Sequence, residues 1–312
     1  MSTVRRLFRE EDLSRQALRR GQRRERRRWE AARVGDVWHA DVCHVWVSTG
    51  EKKSLKHHVH GLLDDKSRYV LALQTRQREE EVDFLCLFAS ALLRHPKPQL
   101  LYVDNGACYS GKALQAVCQR LGIILLHARP YDPESRGKME RFWQTMRYRC
   151  TDHLGARATF PEVQAALSAW LEMDYHSSLH SSLCKASPNS RYLQGIQSLP
   201  GPLSVRELAQ AFELTQRRKV RKDNTLTLHG RTYEVAGRLY AGKTVDVVVD
   251  ALTKDVLRAT WKDKAVPIGL CDPVANAKRG RPAPTDPPPP AQTFDPIAGY
   301  IRAFRKENPY ES

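Results

Sequence analysis

No stretch of this 312-residue chain approaches the length of apolar sequence needed to cross a membrane. The first ten residues, Met-Ser-Thr-Val-Arg-Arg-Leu-Phe-Arg-Glu, also lack the apolar segment of a secretory leader. The expectation is a cytoplasmic, nucleoid-associated protein without a membrane partner. Cysteine is sparse and unpatterned: seven residues, at 43, 86, 108, 118, 150, 184 and 271, with no Cys-x-x-Cys. That odd, scattered set argues against a disulfide framework and against a structural zinc site. His57, His58 and His60 have no cysteine pair at finger spacing and alternate with apolar residues, so they are read as strand residues and not as zinc ligands. No serine or cysteine stands beside a base in a nucleophile motif, and no internal repeat is evident. Acid is outnumbered as well. Thirty-five Asp and Glu against 51 Lys and Arg leave a formal charge of +16, an excess that points to a polyanionic partner, DNA above all.

Hydrophobic residues at 41% and charged residues at 28% are ordinary for a soluble protein with room for two cores. Residues 1–33 hold twelve arginines, no lysine and five acids. They read as an Arg-rich arm or as the final helix of a helix-turn-helix. From 34 to 195 the pattern becomes strands and helices. Val37–Val47 alternates, Leu55–Leu63 and Tyr69–Leu73 follow, and Asp64-Asp-Lys-Ser67 reads as a hairpin turn. The periodicity predicts helices over 79–94, 112–121, 137–150 and 160–175, with strands at 100–103 and 123–126 between them. This order implies an α/β mixed sheet flanked by helices. Residues 196–215 read as a linker and 216–270 as a small all-β barrel. The span 271–312 reads as a basic, Pro-rich tail ending in a short amphipathic helix.

Three acids stand out from this background. Asp41 interrupts the first strand, Asp104 ends the apolar run Leu-Leu-Tyr-Val, and Glu140 opens a basic amphipathic helix with 35 residues between it and Asp104. Carboxylates delivered to one point by two strands and a helix repel one another unless a cation joins them, and paired Mg²⁺ ions with such ligands suit phosphoryl transfer. On the helix, Met139, Trp143 and Met146 share one face, while Glu140, Gln144 and Arg147 share a polar one. Arg136 and Lys138 precede it where a phosphate backbone could approach. Arg217, Arg218, Lys219, Arg221 and Lys222 form a second basic group, and Arg279 and Arg281 in Lys278-Arg-Gly-Arg-Pro282 a third. The last resembles an AT-hook core, with a plain basic linker the better reading. Trp38, Trp46 and Trp143 are read as core residues, and Asn105 and Gly106 as the turn beneath the site.

Trp38-His-Ala-Asp41, Asp64-Asp-Lys-Ser-Arg-Tyr69, Val103-Asp-Asn-Gly106 and Gly137-Lys-Met-Glu-Arg-Phe142 resemble, in order and spacing, the DDE core of retroviral integrases and bacterial insertion-sequence transposases. Tyr175-His-Ser-Ser-Leu-His-Ser-Ser-Leu183 with Ser187-Pro188 is similar to the segment that closes this core in the bacterial branch, and the β domain resembles the C-terminal barrel of phage Mu-type transposases. The resemblance implies an RNase H-like fold with Asp41, Asp104 and Glu140 as metal ligands, Asp41 bridging two Mg²⁺ ions for which Mn²⁺ may substitute. It implies 3′-end processing and strand transfer by a homo-multimer on DNA. An ATPase partner for target selection is the remaining expectation, with the tail stripe Phe294, Ile297, Ile301 and Phe304 as its handle or as a face packed on its own domain. Related transposases usually carry a full helix-turn-helix upstream, so the expectation is either that the upstream part is encoded elsewhere or that this is an N-terminally truncated copy. The alternative reading is a catalytically silent DNA-binding remnant or inhibitor.

Overall fold

The computed structural model describes residues 29–48, 54–128, 137–155 and 158–278. Its first unit is built on a five-stranded sheet in the order β3-β2-β1-β4-β5. The strands are β1 (Val37–Ser48), β2 (Ser54–Asp64), β3 (Val70–Arg76), β4 (Leu100–Val103) and β5 (Ile124–His127). β1, β2 and β3 pair antiparallel, whereas β4 joins β1 in parallel and β5 joins β4 in parallel. This mixed sheet, flanked by helices, is the RNase H-like arrangement.

Alternation along β1 decides which helix covers which face. Trp38 and Ala40 enter a core shared with α1 (Glu81–Leu92) and α2 (Lys112–Leu121), while Cys43, Val45 and Val47 enter one shared with α3 (Gly137–Arg149) and α4 (Phe160–Trp170). Side chains two apart on a strand share a face, so Asp41 lies on the α3 side. α4 starts at a capping box in which the Thr159 backbone N–H donates to Glu162 Oε2 at 2.7 Å. It widens into a π-helical turn at Leu171–Tyr175, where the sequence predicts one uninterrupted helix. The motif that follows is an anchor. Tyr69 stacks between His176 and Tyr192, with ring centroids 3.9 and 4.3 Å away, and the Val70 N–H donates to His176 Nε2 at 3.2 Å. Burial lowers the His176 pKa to about 4, which keeps that nitrogen an acceptor. Ser187-Pro188 is the cap and first residue of α5 (Pro188–Ile196).

The span read as a linker holds α6 (Val205–Ala211) and the start of β6 (Glu213–Lys219). Leu208, Ala211 and Phe212 are buried in the core shared with α1 and α2, so apolar burial orders a stretch whose composition looked loop-like. Beyond it, β6 joins β9 (Thr244–Asp250), β10 (Val256–Trp261) and β11 (Lys264–Val266) in a four-stranded sheet. β7 (Thr225–Leu228), β8 (Arg231–Val235) and β12 (Ile268–Leu270) form a three-stranded one. Both close on a core that includes Val245, Val247 and Val249. A short α7 (Pro273–Lys278) follows. No described helix is long and apolar enough to cross a membrane.

The turn at 64–67 is held by buried acid. Asp64 accepts from the Gly35 and Ser67 N–H groups, each at 2.8 Å, and from Ser67 Oγ at 2.6 Å. Asp65, fully buried, accepts from the Ala31 N–H at 2.6 Å, meets His39 Nε2 at 2.6 Å and pairs with Lys138. Burial alone would raise its pKa, but the bonds from His39 and Ala31 and the charges beside them outweigh burial and hold the carboxyl well below the usual range. A depressed folded-state pKa supplies stability above the unfolded value of ~3.9 and loses it as pH falls through the folded one. Asp65→Asn is therefore expected to flatten the acid limb of stability. Urea unfolding between about pH 5 and pH 3 should show a smaller drop for the variant than for the wild type, and parallel curves would contradict this.

Candidate metal-binding carboxylate site

β1 and β4 run in register as Val37↔Leu100, Trp38↔Leu101 and His39↔Tyr102. Continuing that register sets Asp41 level with Asp104, just past the end of β4. Leu101 and Val103 face the α1 and α2 core, so the opposite parity turns Asp104 toward α3, the face Asp41 also uses. Asp104 is fixed by its turn: its Oδ1 accepts the Gly106 N–H at 2.7 Å, and Asn105 Nδ2 donates to the Ala128 carbonyl at 2.8 Å.

The third acid comes with the helix. Met139, Phe142, Trp143 and Met146 of α3 are buried on the sheet, whereas Glu140, Gln144 and Arg147 are exposed. Trp143 Nε1 donates to Asp41 Oδ2 at 2.8 Å, and the Val42 N–H donates to Asp41 Oδ1 at 2.9 Å. Glu140 lies one turn before Trp143 but is exposed, and among the described residues the Asp41, Asp104 and Glu140 carboxylates do not form a group whose ligand atoms all lie within 4.8 Å of one another. The seating of Trp143 needs a glycine opposite Asp41. Gly61 is the β2 partner of Asp41, and a Cβ there would meet the Trp143 ring at 2.6 Å. The indole thus lies over bare backbone and reaches the carboxylate.

The buried Tyr109 phenol is pushed well above its ordinary pKa by burial, and Cys108, Asp41, Asp104 and Glu79 all push the same way. Burial, with Glu79 and Asp104 beside it, raises the Cys108 thiol to about 12. Two of the three acids, Asp41 and Asp104, therefore lie near the same buried phenol. The carboxylate set is all oxygen, as Mg²⁺ and Mn²⁺ require.

Other expected residues fall differently. Lys138 is half-buried, paired with Asp65 and 4.2 Å over the Trp29 ring, so its charge is held internally and it is no free phosphate contact. Arg147 is exposed with Nη2 3.1 Å from Cys43 Sγ. Arg217, Lys219, Arg221 and Lys222 are exposed on the second unit, while Arg218 turns back to Gln216 Oε1 at 2.6 Å. Arg136, Arg279 and Arg281 lie outside the described residues. One further expectation is corrected. Trp46 is 62% exposed, with Lys56 Nζ 5.8 Å from its ring, because the β1–β2 hairpin outruns the helices that cover Trp38. His58 is a β2 residue, as expected, and meets Glu79 together with His44. A cavity of about 270 Å³ lies between Trp29, Lys138 and His180 and includes none of the three acids.

Two family models, each described as integrase core domain, match residues 31–133 and 121–188. By sequence, this span is an integrase core domain. Curated relatives include the Gag-Pro-Pol polyprotein of squirrel monkey retrovirus, 32% identical over 36% of this chain and 6% of its own length. A Pol-related polyprotein of a mouse intracisternal A-particle is 30% identical over 45% of this chain and 16% of its own length. The chain thus spans less than a fifth of either relative. Among solved structures, the catalytic core domain of BIV integrase is 23% identical with a TM-score of 0.41, over 51% of this chain and 95% of that one. The HTLV-2 integrase core in complex with magnesium is 16% identical with a TM-score of 0.42, over 52% and 99%.

Gly61→Ala is expected to destabilise the fold by ~1–3 kcal/mol through overpacking against Trp143. Trp143→Phe removes the ring atoms concerned, so the same substitution in that background should cost clearly less in a urea-unfolding double-mutant cycle. Additive costs would show that the two residues do not meet.

Proposed function

We propose that the chain is a DDE-type DNA transposase or integrase of a mobile element, which exposes a 3′-OH at the element end and joins it to target DNA. The observation that carries this reading is the register of β1 and β4, which sets Asp41 level with Asp104, together with the Trp143 hydrogen bond that holds α3, the helix of Glu140, against Asp41. The integrase core match over the same span supports it. Asp41, Asp104 and Glu140 would hold divalent metal, Mg²⁺ with Mn²⁺ as substitute. When bound, the two ions supply an activated attacking oxygen and stabilisation of the leaving oxygen in an in-line displacement at phosphorus.

The chain's own residues supply the rest. The Trp143 and Gly106 N–H groups fix one oxygen each of Asp41 and Asp104, leaving the carboxylates oriented before substrate arrives. Gln144 and Arg147, on the exposed face of α3 beyond Glu140, and the basic group at Arg217, Lys219, Arg221 and Lys222 would bind DNA backbone and orient it. In the joining step the new bond forms between the 3′-oxygen and the target phosphorus as the bond to the target's own 3′-oxygen breaks, with no link to protein. An origin in the bacterial insertion-sequence branch, a Mu-like C-terminal barrel over 216–270, action as a homo-multimer and an ATPase partner belong to the same proposal.

Incubating the full chain with pre-cut candidate element ends and plasmid target tests it. Joined product should form under Mg²⁺ or Mn²⁺ and fall by more than about 100-fold in Asp41→Asn, Asp104→Asn and Glu140→Gln, beyond the range of outer-shell changes. The same absence of product in wild type and Asp104→Asn under both metals would overturn the enzymatic reading and leave a DNA-binding remnant.

A further inference from the structure

Three residues after Asp41, β1 presents His44 opposite His58 of β2, paired in register with ring centroids 4.8 Å apart. Glu79, from the turn between β3 and α1, reaches between them. Its Oε2 lies 2.8 Å from His44 Nε2 and 3.4 Å from His58 Nδ1, and one donor atom from each residue falls within 4.8 Å of the others. Its other oxygen, Oε1, is 4.0 Å from Cys108 Sγ. Among the described residues this is the one His, Cys, Asp and Glu group with such spacing. Ligands at ~2.0–2.2 Å from a tetrahedral zinc stand roughly 3.3 Å apart, close to the separations from Glu79 seen here.

We propose that His44, His58 and Glu79 form a second metal site, distinct from the three-carboxylate set, that binds Zn²⁺ or a similar borderline-soft divalent ion. The donors decide the class: two imidazole nitrogens and one carboxylate suit zinc, whereas Mg²⁺ takes oxygen ligands. The site has an entrance, since the His44 side chain is 41% exposed and that of Glu79 30%, while His58 at 13% anchors the inner side. A bound ion would pin the β1–β2 hairpin to the turn that opens α1. It would also neutralise Glu79, one of the acids acting on Tyr109 beside Asp104.

Metal-stripped full-length protein, titrated with Zn²⁺ in excess Mg²⁺ by calorimetry, reads the proposal directly. Wild type and Asp104→Asn should each take up one zinc equivalent that His44→Ala and Glu79→Gln bind at least ~10-fold more weakly, with far-UV circular dichroism confirming that the variants fold. Co²⁺ bound to the wild type should give a visible absorption band that Zn²⁺ abolishes and Mg²⁺ does not. Equal zinc uptake in wild type and Glu79→Gln, loss of zinc only in Asp104→Asn, or a cobalt band that Mg²⁺ erases would each overturn it. These outcomes are independent of whether the chain joins DNA.

Discussion

The indole N–H of Trp143 on the Asp41 carboxylate, made across the bare backbone of Gly61, is the contact on which the arrangement depends. It joins helix α3 to strand β1 at Asp41, the first of the three proposed metal ligands. Remove it and three carboxylates still exist, but the helix that carries Glu140 loses its direct bond to Asp41. Apolar packing of Met139, Phe142 and Met146 gives the helix its attachment energy. A directional hydrogen bond to a carboxylate adds orientation, and charge-assisted bonds of this kind are the stronger class.

A second acid network fixes the same helix from its other end. Lys138 is bound to buried Asp65, which also takes the Ala31 N–H and His39. A lysine so placed is lost to DNA, and the cation is spent on seating α3 at its first turn. Excess positive charge thus serves two ends in this chain: internal pairing close to the site, and exposed bases at Arg147 and along Arg217–Lys222. Asp41, Asp104 and Glu79 together bear on the buried Tyr109.

Much of this was legible in the sequence, and the limits follow from physics. Strand alternation from Val37, the helix stripes and the Asp64–Ser67 turn are local signals, and the sheet follows from their order. Asp41, Asp104 and Glu140 could be singled out because each interrupts or opens a periodic element. The role of Gly61 was not legible, since a glycine in a strand does not say which distant ring needs its space. His44 and Glu79 stand 35 residues apart, and only the β1–β2 pairing with the turn before α1 brings them together. The helix at 205–211 escaped notice because its seven residues carry only Leu208 and Ala211 inward, too few for a period. Trp46 misled because a tryptophan at a hairpin end has the same sequence signature as one in the core.

Diffraction from crystals soaked in Mn²⁺, using the metal's anomalous signal, tests the central claim most directly. The account predicts manganese between the Asp41 and Asp104 carboxylates on the side facing Glu140, and its absence there in Asp104→Asn crystals. Ordered manganese elsewhere, with none within bonding distance of Asp41 and Asp104, would contradict it.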